Sequence, residues 1–159
     1  MLHRGTGNLV LTEEGIRAIN NSLGNLVMDS GAKAALLLDK SGQLIAAQGE
    51  TNALDTMSLS ALITGSFGSN KAIANLVGET EFRRMFQQGQ SSSIYMAQIV
   101  THDLIAVIFP NSITVGKIKF RVDQMLDTLN QQMQAMYNNT PEAPFRAAPS
   151  AGPKLSDLF

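Results

Sequence analysis

The sequence predicts an α+β domain built on a five-stranded antiparallel sheet with helices on both faces. Apolar runs of strand length come in two groups with short internal turns, and three other segments have helical periodicity. Short turns make neighbouring strands antiparallel. The run Ala34–Leu38 is apolar without alternation, which is typical of a strand covered on both faces. The predicted order is helix, two strands, helix, three strands, helix.

The first helix is predicted to begin after Thr12, which can cap it, with Glu13 and Glu14 in its first turn. It ends at Asp29–Gly31. One apolar stripe follows helical spacing and should face the core: Ile16, Ile19, Leu23 and Leu26.

Five strands are predicted, and the turn Asp39–Gly42 places a glycine where positive φ is needed between the first two. The third is an edge strand, because it carries the charges of Arg83 and Arg84. The last helix starts at Ser112 or Thr114 and runs to about Tyr137. The predicted strand ranges are Ala32–Asp39, Gln43–Gln48, Glu81–Gln88, Ser93–Val100 and Leu104–Phe109.

The second helix lies within Asp55–Phe82 and carries two stripes. One is apolar and is predicted to face the core: Leu59, Ile63, Ile73 and Val77, with Leu62 beside them. The other consists of small residues: Ser58, Ala61, Gly65, Gly68 and Ala72. Interior glycines cost about 1 kcal/mol each relative to alanine, so this stripe indicates either a surface for close approach by a second chain or a slack surface helix.

Composition excludes several functions. The chain has 159 residues, a net charge of −1 and no cysteine. It is not basic enough to indicate nucleic acid as a partner, and it has no disulfide, thiolate zinc site or cysteine nucleophile. It has no signal-peptide pattern and no apolar run of membrane-spanning length, so a cytoplasmic protein is expected.

Three segments are expected: a flexible N-terminus at 1–11, the domain at 12–137, and a disordered tail at 138–159 that is rich in proline and alanine. The tail ends in an acidic and apolar cluster. Either it is inert, or it is a docking motif formed by Leu155, Leu158 and Phe159.

The residues that could take part in catalysis or bind a ligand do not form a recognisable cluster in the sequence. His3 and His102 have no spaced partner, which argues against a metal site or a catalytic triad. The glycines of Gly65–Lys71 do not open a helix after a strand, so they are not a phosphate loop. No cofactor is expected, and the pattern favours a binding module over an enzyme.

Three motifs resemble the Roadblock (dynein light chain) family, and within it the bacterial MglB group of polarity and gliding-motility proteins. They are D-K-x-G-Q-L-I at Asp39–Ile45, D-T-x-S-L-x-x-L at Asp55–Leu62, and G-E-x-E-F at Gly78–Phe82. The resemblance spans roughly Glu13 to Tyr137, and the tail is similar as well. This chain departs from the family pattern within Ser66–Lys71 of the second helix, where the small residues of the family vary.

The resemblance implies a homodimer joined through the second helix and the following edge strand. It also implies that the dimer binds a Ras-like small GTPase of the MglA type in its GTP state, reshapes its switch regions and stimulates hydrolysis without donating an arginine. Such a protein sets polarity in gliding bacteria and would concentrate at a cell pole. The expected contact residues are Ser58, Ala61, Thr64, Gly65, Gly68, Ala72, Arg83 and Met85.

Two alternatives remain open at this stage. A Roadblock scaffold would bind a GTPase or motor complex without stimulating hydrolysis, and it would use the same helix. A small-ligand sensor on a similar α+β fold is the third interpretation.

Overall fold

The computed structural model describes residues 3–4 and 9–138. A five-stranded antiparallel sheet lies between two helical layers, as the sequence predicts. Its strands are β3 (Ala34–Leu38), β4 (Leu44–Gly49), β5 (Arg84–Gln88), β6 (Ser92–Gln98) and β7 (Leu104–Pro110). They lie side by side in the order β4-β3-β7-β6-β5. The helices are α1 (Glu13–Ser30), α2 (Thr56–Leu76) and α3 (Val115–Asn138).

A polar side chain caps the first turn of each helix. Thr12 caps α1 by accepting a hydrogen bond from the Gly15 amide (3.0 Å), and Gly31 closes the helix at φ 75°. Asp55 caps α2 through the Ser58 amide, and the Thr114 hydroxyl accepts from the Lys117 amide at the start of α3. The polar residues between the apolar segments therefore set the helix boundaries.

The helices α1 and α3 form one layer, and the larger core lies beneath it. They pack against each other, and Gln132 of α3 donates a hydrogen bond to the Ser22 hydroxyl of α1 (2.9 Å). Ile19, Leu23, Ile118 and Leu129 are fully buried there. The predicted α1 stripe is confirmed, although Ile16 at its outer end is only partly buried.

The helix α2 alone covers the opposite face of the sheet, and its predicted core stripe is partly wrong. Ile63 is buried and Leu59 packs at the rim of the smaller core, but Leu62, Ile73 and Val77 are exposed. Eleven residues make about three helical turns, so Ala74 points in the direction of Ile63, whereas Ile73 points about 80° away. Ala74 is accordingly fully buried.

Two smaller features differ from the sequence prediction. The edge strand is shorter than Glu81–Gln88, because residues before Arg84 form a bend after α2. The unpredicted two-residue strands β1 (His3–Arg4) and β2 (Val10–Leu11) pair with each other, and Leu9 is buried against the larger core. Within the described residues, no helix is both long and apolar enough to cross a membrane.

Candidate interaction surface

The side of α2 that faces away from the sheet is uncharged along its whole length. We call it the α2 outer face: Met57, Ser58, Ala61, Leu62, Gly65, Gly68, Ser69, Ala72, Ile73 and Leu76. The large side chains on it are strongly exposed, with Leu62 at 72% and Leu76 at 87%. Lys71 is the single charged residue of α2, and at roughly 100° per residue it lies outside this face. An apolar surface of this kind is typical of a protein–protein contact.

Nothing in the described part of the chain packs against the two interior glycines of α2. A Cβ atom built at Gly65 or Gly68 would meet none of the described atoms within 4 Å. Since glycine weakens a helix and no described neighbour requires it here, these positions fit close approach by another molecule. Ala61 and Ala72 lie on the same face and are also exposed.

Two predicted contact residues have local roles at this surface. The Ser58 hydroxyl donates to the capping Asp55 (2.7 Å), and these hydrogen bonds from Ser58 lower the pKa of the Asp55 carboxyl. The half-buried Thr64 donates to the Ser60 carbonyl (3.0 Å) and faces Gly42, where a Cβ would lie 3.4 Å from the Thr64 hydroxyl. Thr64 therefore packs against the β3–β4 turn, while Ser58 remains exposed.

Beside α2, strand β5 forms one open edge of the sheet. Of the described strands, β6 alone pairs with it. The bonds from Gln98 N to the Arg83 carbonyl and from Gly89 N to the Ser92 carbonyl show which residues of β5 direct their backbone groups towards β6. In an antiparallel ladder, alternate residues point their backbone groups to the two sides. The backbone N–H and C=O groups of Arg84, Phe86 and Gln88 therefore face the open edge.

The side chains of β5 alternate between the two layers. Met85 packs against the smaller core beneath α2, near the Asn70 amide, and is partly buried. Arg84 points to the other layer, where its guanidinium pairs with Asp123 and donates to the Tyr95 hydroxyl; the bond to Asp123 raises the pKa of Arg84. Arg83 is exposed on the α2 side. Among the described residues, Arg84 is held by a side-chain ion pair, whereas no such pair holds Arg83.

A buried polar cluster joins the two hairpin turns to the end of α3. The carboxylate of Asp103 accepts from the Tyr137 hydroxyl (2.9 Å) and the Lys40 amide (3.2 Å), and Asp39 accepts from the Ser41 and Gln43 amides. Burial raises the pKa of Asp103 and also that of Tyr137, where the charge of Asp103 adds to the effect. The cluster fixes the β3–β4 turn against which Thr64 packs.

The described residues contain no group of three or more side chains suited to hold a metal ion. A shallow cleft lies at the bend between α2 and β5, lined by Glu79–Arg84. The tail residues Leu155, Leu158 and Phe159 lie outside the described part of the chain.

The model of the Roadblock/LC7 domain matches residues 19–109, from α1 to the end of β7. The chain belongs to the Roadblock/LC7 family. The matched range contains the whole α2 outer face and the β5 edge, so both candidate surfaces lie inside the Roadblock domain. Among curated proteins, none matches the chain significantly.

Solved structures extend the similarity beyond the family model. Myxococcus xanthus MglB is 34% identical, with a TM-score of 0.74, over 80% of this chain and 96% of that one. The gliding protein MglB of Thermus thermophilus is 25% identical with the same coverage and TM-score. A structure described as "MglB with tetrameric arrangement", at 24% identity, TM-score 0.75 and the same coverage, shows the fold alone.

Sequence reasoning identifies the small-residue stripe but misses the large apolar residues that share its face. It assigns Leu62 and Ile73 to the core, and it places Met57 and Leu76 in neither stripe. A helical projection centred on Ile63 and Ala74 places Leu62, Ile73 and Leu76 on the side of Gly65. The structure supplies that centre through the burial of Ile63 and Ala74. From the sequence alone, the large apolar side chains favour assignment to the core.

Proposed function

We propose that this Roadblock protein is a homodimeric regulator of a Ras-like small GTPase of the MglA type. The observation that carries the proposal is the α2 outer face, which is apolar, uncharged and exposed in the protomer, on a chain that is 34% identical to an MglB. Burying such a face against other chains is favourable, because about 25 cal/mol is gained per Å² of apolar surface removed from water.

In this proposal, two protomers associate through α2 and the β5 edge, and the paired α2 helices bind the GTPase in its GTP state. The open backbone groups of β5 support the dimer, since an unprotected edge strand readily pairs with another strand. Static light scattering at tens of micromolar protein is expected to give twice the protomer mass. A protomer mass at that concentration would exclude the dimer.

The regulator is proposed to act by reshaping the switch loops of the GTPase, not by inserting an arginine. Helix α2 contains no arginine, and Arg84 is engaged by Asp123 and Tyr95. Arg83 is the exposed alternative, and loss of a true arginine finger would lower the hydrolysis rate about 10³–10⁵-fold. The variant Arg83→Ala is instead expected to retain stimulation within a few-fold.

Single-turnover GTP hydrolysis tests the function directly. A cognate MglA-type GTPase is loaded with GTP and mixed with buffer, wild-type protein or the Arg83→Ala variant. We expect the wild type and the variant to accelerate hydrolysis similarly. GTP-dependent binding without acceleration would favour the scaffold, and no binding to the GTP form would exclude both interpretations.

The tail and the cellular role belong to the same proposal. Leu155, Leu158 and Phe159 are proposed to add affinity for the GTPase, so a chain ending at Tyr137 should bind it several-fold more weakly. Equal affinities for the two lengths would exclude this contribution. The cellular role is proposed to be in polarity or motility at a cell pole, and the similarity to a gliding protein supports the motility part of this proposal.

A further inference from the structure

Two buried carboxylates face each other where β3 ends and β7 begins. The last pair of the β3–β7 register is Leu38 with Leu104, so one step further along the two strands Asp39 lies opposite Asp103. Because side chains alternate across a sheet, both aspartates point to the α1/α3 side, in the same direction as Leu37 of the larger core. Asp39 is 1% exposed and Asp103 is fully buried.

This arrangement is unfavourable unless a positive charge compensates it. Like charges directly opposite on paired strands destabilise a sheet, and burial adds to the cost of each charge. Among the described residues, neither carboxylate forms an ion pair. The ammonium of Lys40 lies over the Tyr137 ring, 6.0 Å from its centroid, and does not bridge the two aspartates. The described chain therefore places two acidic groups side by side without supplying a cation of its own.

One oxygen of the pair has no hydrogen-bond partner. The Oδ1 atom of Asp39 accepts from the Ser41 amide (2.9 Å), the Ser41 hydroxyl (2.6 Å) and the Gln43 amide (2.9 Å). The other oxygen, Oδ2, is buried and accepts no hydrogen bond from the described residues. The turn thus holds Oδ1 and leaves Oδ2 open to another ligand. Buried polar atoms are nearly always paired, so this oxygen indicates a ligand from outside the chain.

The groups around Asp103 suit a hard cation. Asp103 contributes the second carboxylate, and the hydroxyls of Tyr137 (2.9 Å) and Thr101 donate hydrogen bonds to it. A hydroxyl that donates its proton keeps lone pairs for a metal ion, so the two carboxylates are complemented by two further oxygens. Oxygen ligands favour calcium and magnesium over transition metals. Calcium tolerates an irregular set of about six to eight oxygens, including carbonyls and water, whereas magnesium requires a near-octahedral set.

We infer that Asp39 and Asp103 form the centre of a binding site for a divalent metal cation of the calcium type, between the β3–β4 and β6–β7 turns and beneath the end of α3. The inference goes beyond the proposed function and does not depend on the GTPase. The turns at Lys40 and His102 are exposed, so the path to the site is short. A bound cation would replace the repulsion with coordination and hold the β3–β4 turn against which Thr64 of α2 packs. With two carboxylates, the expected dissociation constant is on the order of 10⁻⁴–10⁻³ M.

Terbium(III) tests the site directly, because it occupies calcium sites and luminesces when a nearby tyrosine transfers energy to it. The chain has two tyrosines and no tryptophan, and Tyr137 lies at the proposed site. In full-length Tyr95→Phe protein, Tyr137 is the one remaining donor. We expect terbium added to this protein after chelator treatment to luminesce on excitation of tyrosine. Calcium should displace the terbium at a lower concentration than magnesium.

Matched variants locate the cation. Asp39→Asn removes the charge of the unpartnered oxygen and keeps an oxygen for the turn amides, so it should fold and should bind terbium at least about tenfold more weakly. Asp103→Asn removes the opposite charge and should have the same effect. Asp127→Asn removes an exposed charge from α3 and should bind like its parent. Calcium at about ten times its dissociation constant should raise the melting temperature of the wild type and of Asp127→Asn by about 3–5 °C, and that of the other two variants not at all.

The contrary results are equally definite. A folded Tyr95→Phe protein without terbium luminescence would overturn the site and leave a proton as the group that compensates the pair. Unchanged affinity in both Asp39→Asn and Asp103→Asn would overturn it as well. So would an equal loss in Asp127→Asn, because terbium would then report surface charge. None of these residues lies on the α2 outer face, so each of these failures would leave the proposed function intact.

Discussion

The two helical layers cover the sheet unequally. On one side, α1 and α3 pack on each other and on the larger core, and their inward stripes are fully buried. On the other side, α2 packs alone over a smaller cluster, and it exposes Leu62, Ile73 and Leu76. The α1/α3 layer therefore supplies most of the buried core of the protomer, whereas the α2 layer leaves large apolar side chains exposed, as the proposed contact surface requires.

The polar residues follow the same division. The α1/α3 layer contains the Ser22–Gln132 hydrogen bond and the Arg84–Asp123 pair at its border with β5. The residues that define the outer face of α2 include two hydroxyls, those of Ser58 and Ser69, beside glycines and apolar side chains. If a partner binds this face as proposed, the fit of the two surfaces would supply most of the specificity, because few of these residues can form directed hydrogen bonds.

The largest expected effect is the loss of a core residue from the α1/α3 layer. Ile118 is fully buried, and Ile118→Ala should lower the free energy of unfolding by about 2–5 kcal/mol through lost burial and a cavity. Leu62→Ala, at a site 72% exposed in the protomer, is the comparison and should cost the protomer less than about 0.5 kcal/mol. Urea unfolding at low protein concentration measures both, and similar losses would contradict the division.

A bulky charged side chain should impair association when it is placed on α2 but not when it is placed on α3. Within the described residues, a Cβ atom built at Gly68 in α2 or at Gly116 in α3 would meet no atom within 4 Å, so a side chain can start at either position without a clash. Gly68→Arg should weaken self-association or GTPase binding by at least about tenfold, equivalent to about 1.4 kcal/mol, whereas Gly116→Arg should not. Circular dichroism confirms folding, and sedimentation with binding titrations measures association. Normal association of Gly68→Arg would remove α2 from the contact surface.

The buried polar cluster joins the two hairpin turns to the end of α3, and removing one of its hydrogen bonds should lower the free energy of unfolding by a moderate amount. Tyr137→Phe removes the hydroxyl that donates to the buried Asp103, and hydrogen bonds to charged groups contribute about 1.5–3 kcal/mol. We expect a loss of unfolding free energy in that range, measured by urea unfolding. A loss below a few tenths of a kcal/mol would show that water replaces the hydroxyl.

The smallest expected effect is a pH dependence of the free energy of unfolding, which arises from Asp103 in the same cluster. Burial raises the pKa of Asp103 above its ordinary 3.8, so the folded protein binds this proton more tightly than the unfolded chain. Ionised Asp103 therefore opposes folding at neutral pH, and that cost disappears as the pH falls through the folded pKa towards 3.8.

The variant Asp103→Asn lacks this titration. Relative to it, the wild type should gain stability as the pH is lowered from about 7 to about 4, because all other carboxyl groups are common to both chains. Thermal unfolding at matched pH values gives the difference between the two curves. A difference that stays constant, or that changes in the opposite direction, would contradict the assigned shift.

Much of the fold could be predicted because local signals and tertiary structure agree. Thr12, Asp55 and Gly42 mark boundaries that the backbone requires, through caps and a turn at φ 93°. The unbroken apolar run of β3 indicates a strand covered on both faces, and Leu36 and Leu37 are both fully buried. In these segments the capping residues, the turn glycine and the unbroken apolar run each favour a single local structure.

The outer face of α2 was only half predictable, because leucine and isoleucine fit either a core or an interface. By itself the sequence determined the α+β class, the element order and the small-residue stripe, since these depend on local periodicity and turn chemistry. Only the tertiary structure decided that Ile63 and Ala74 face the sheet while Leu62 and Ile73 face away. That choice depends on where α2 packs over the face formed by β3 and β7, and these two strands are paired across a long separation in the sequence.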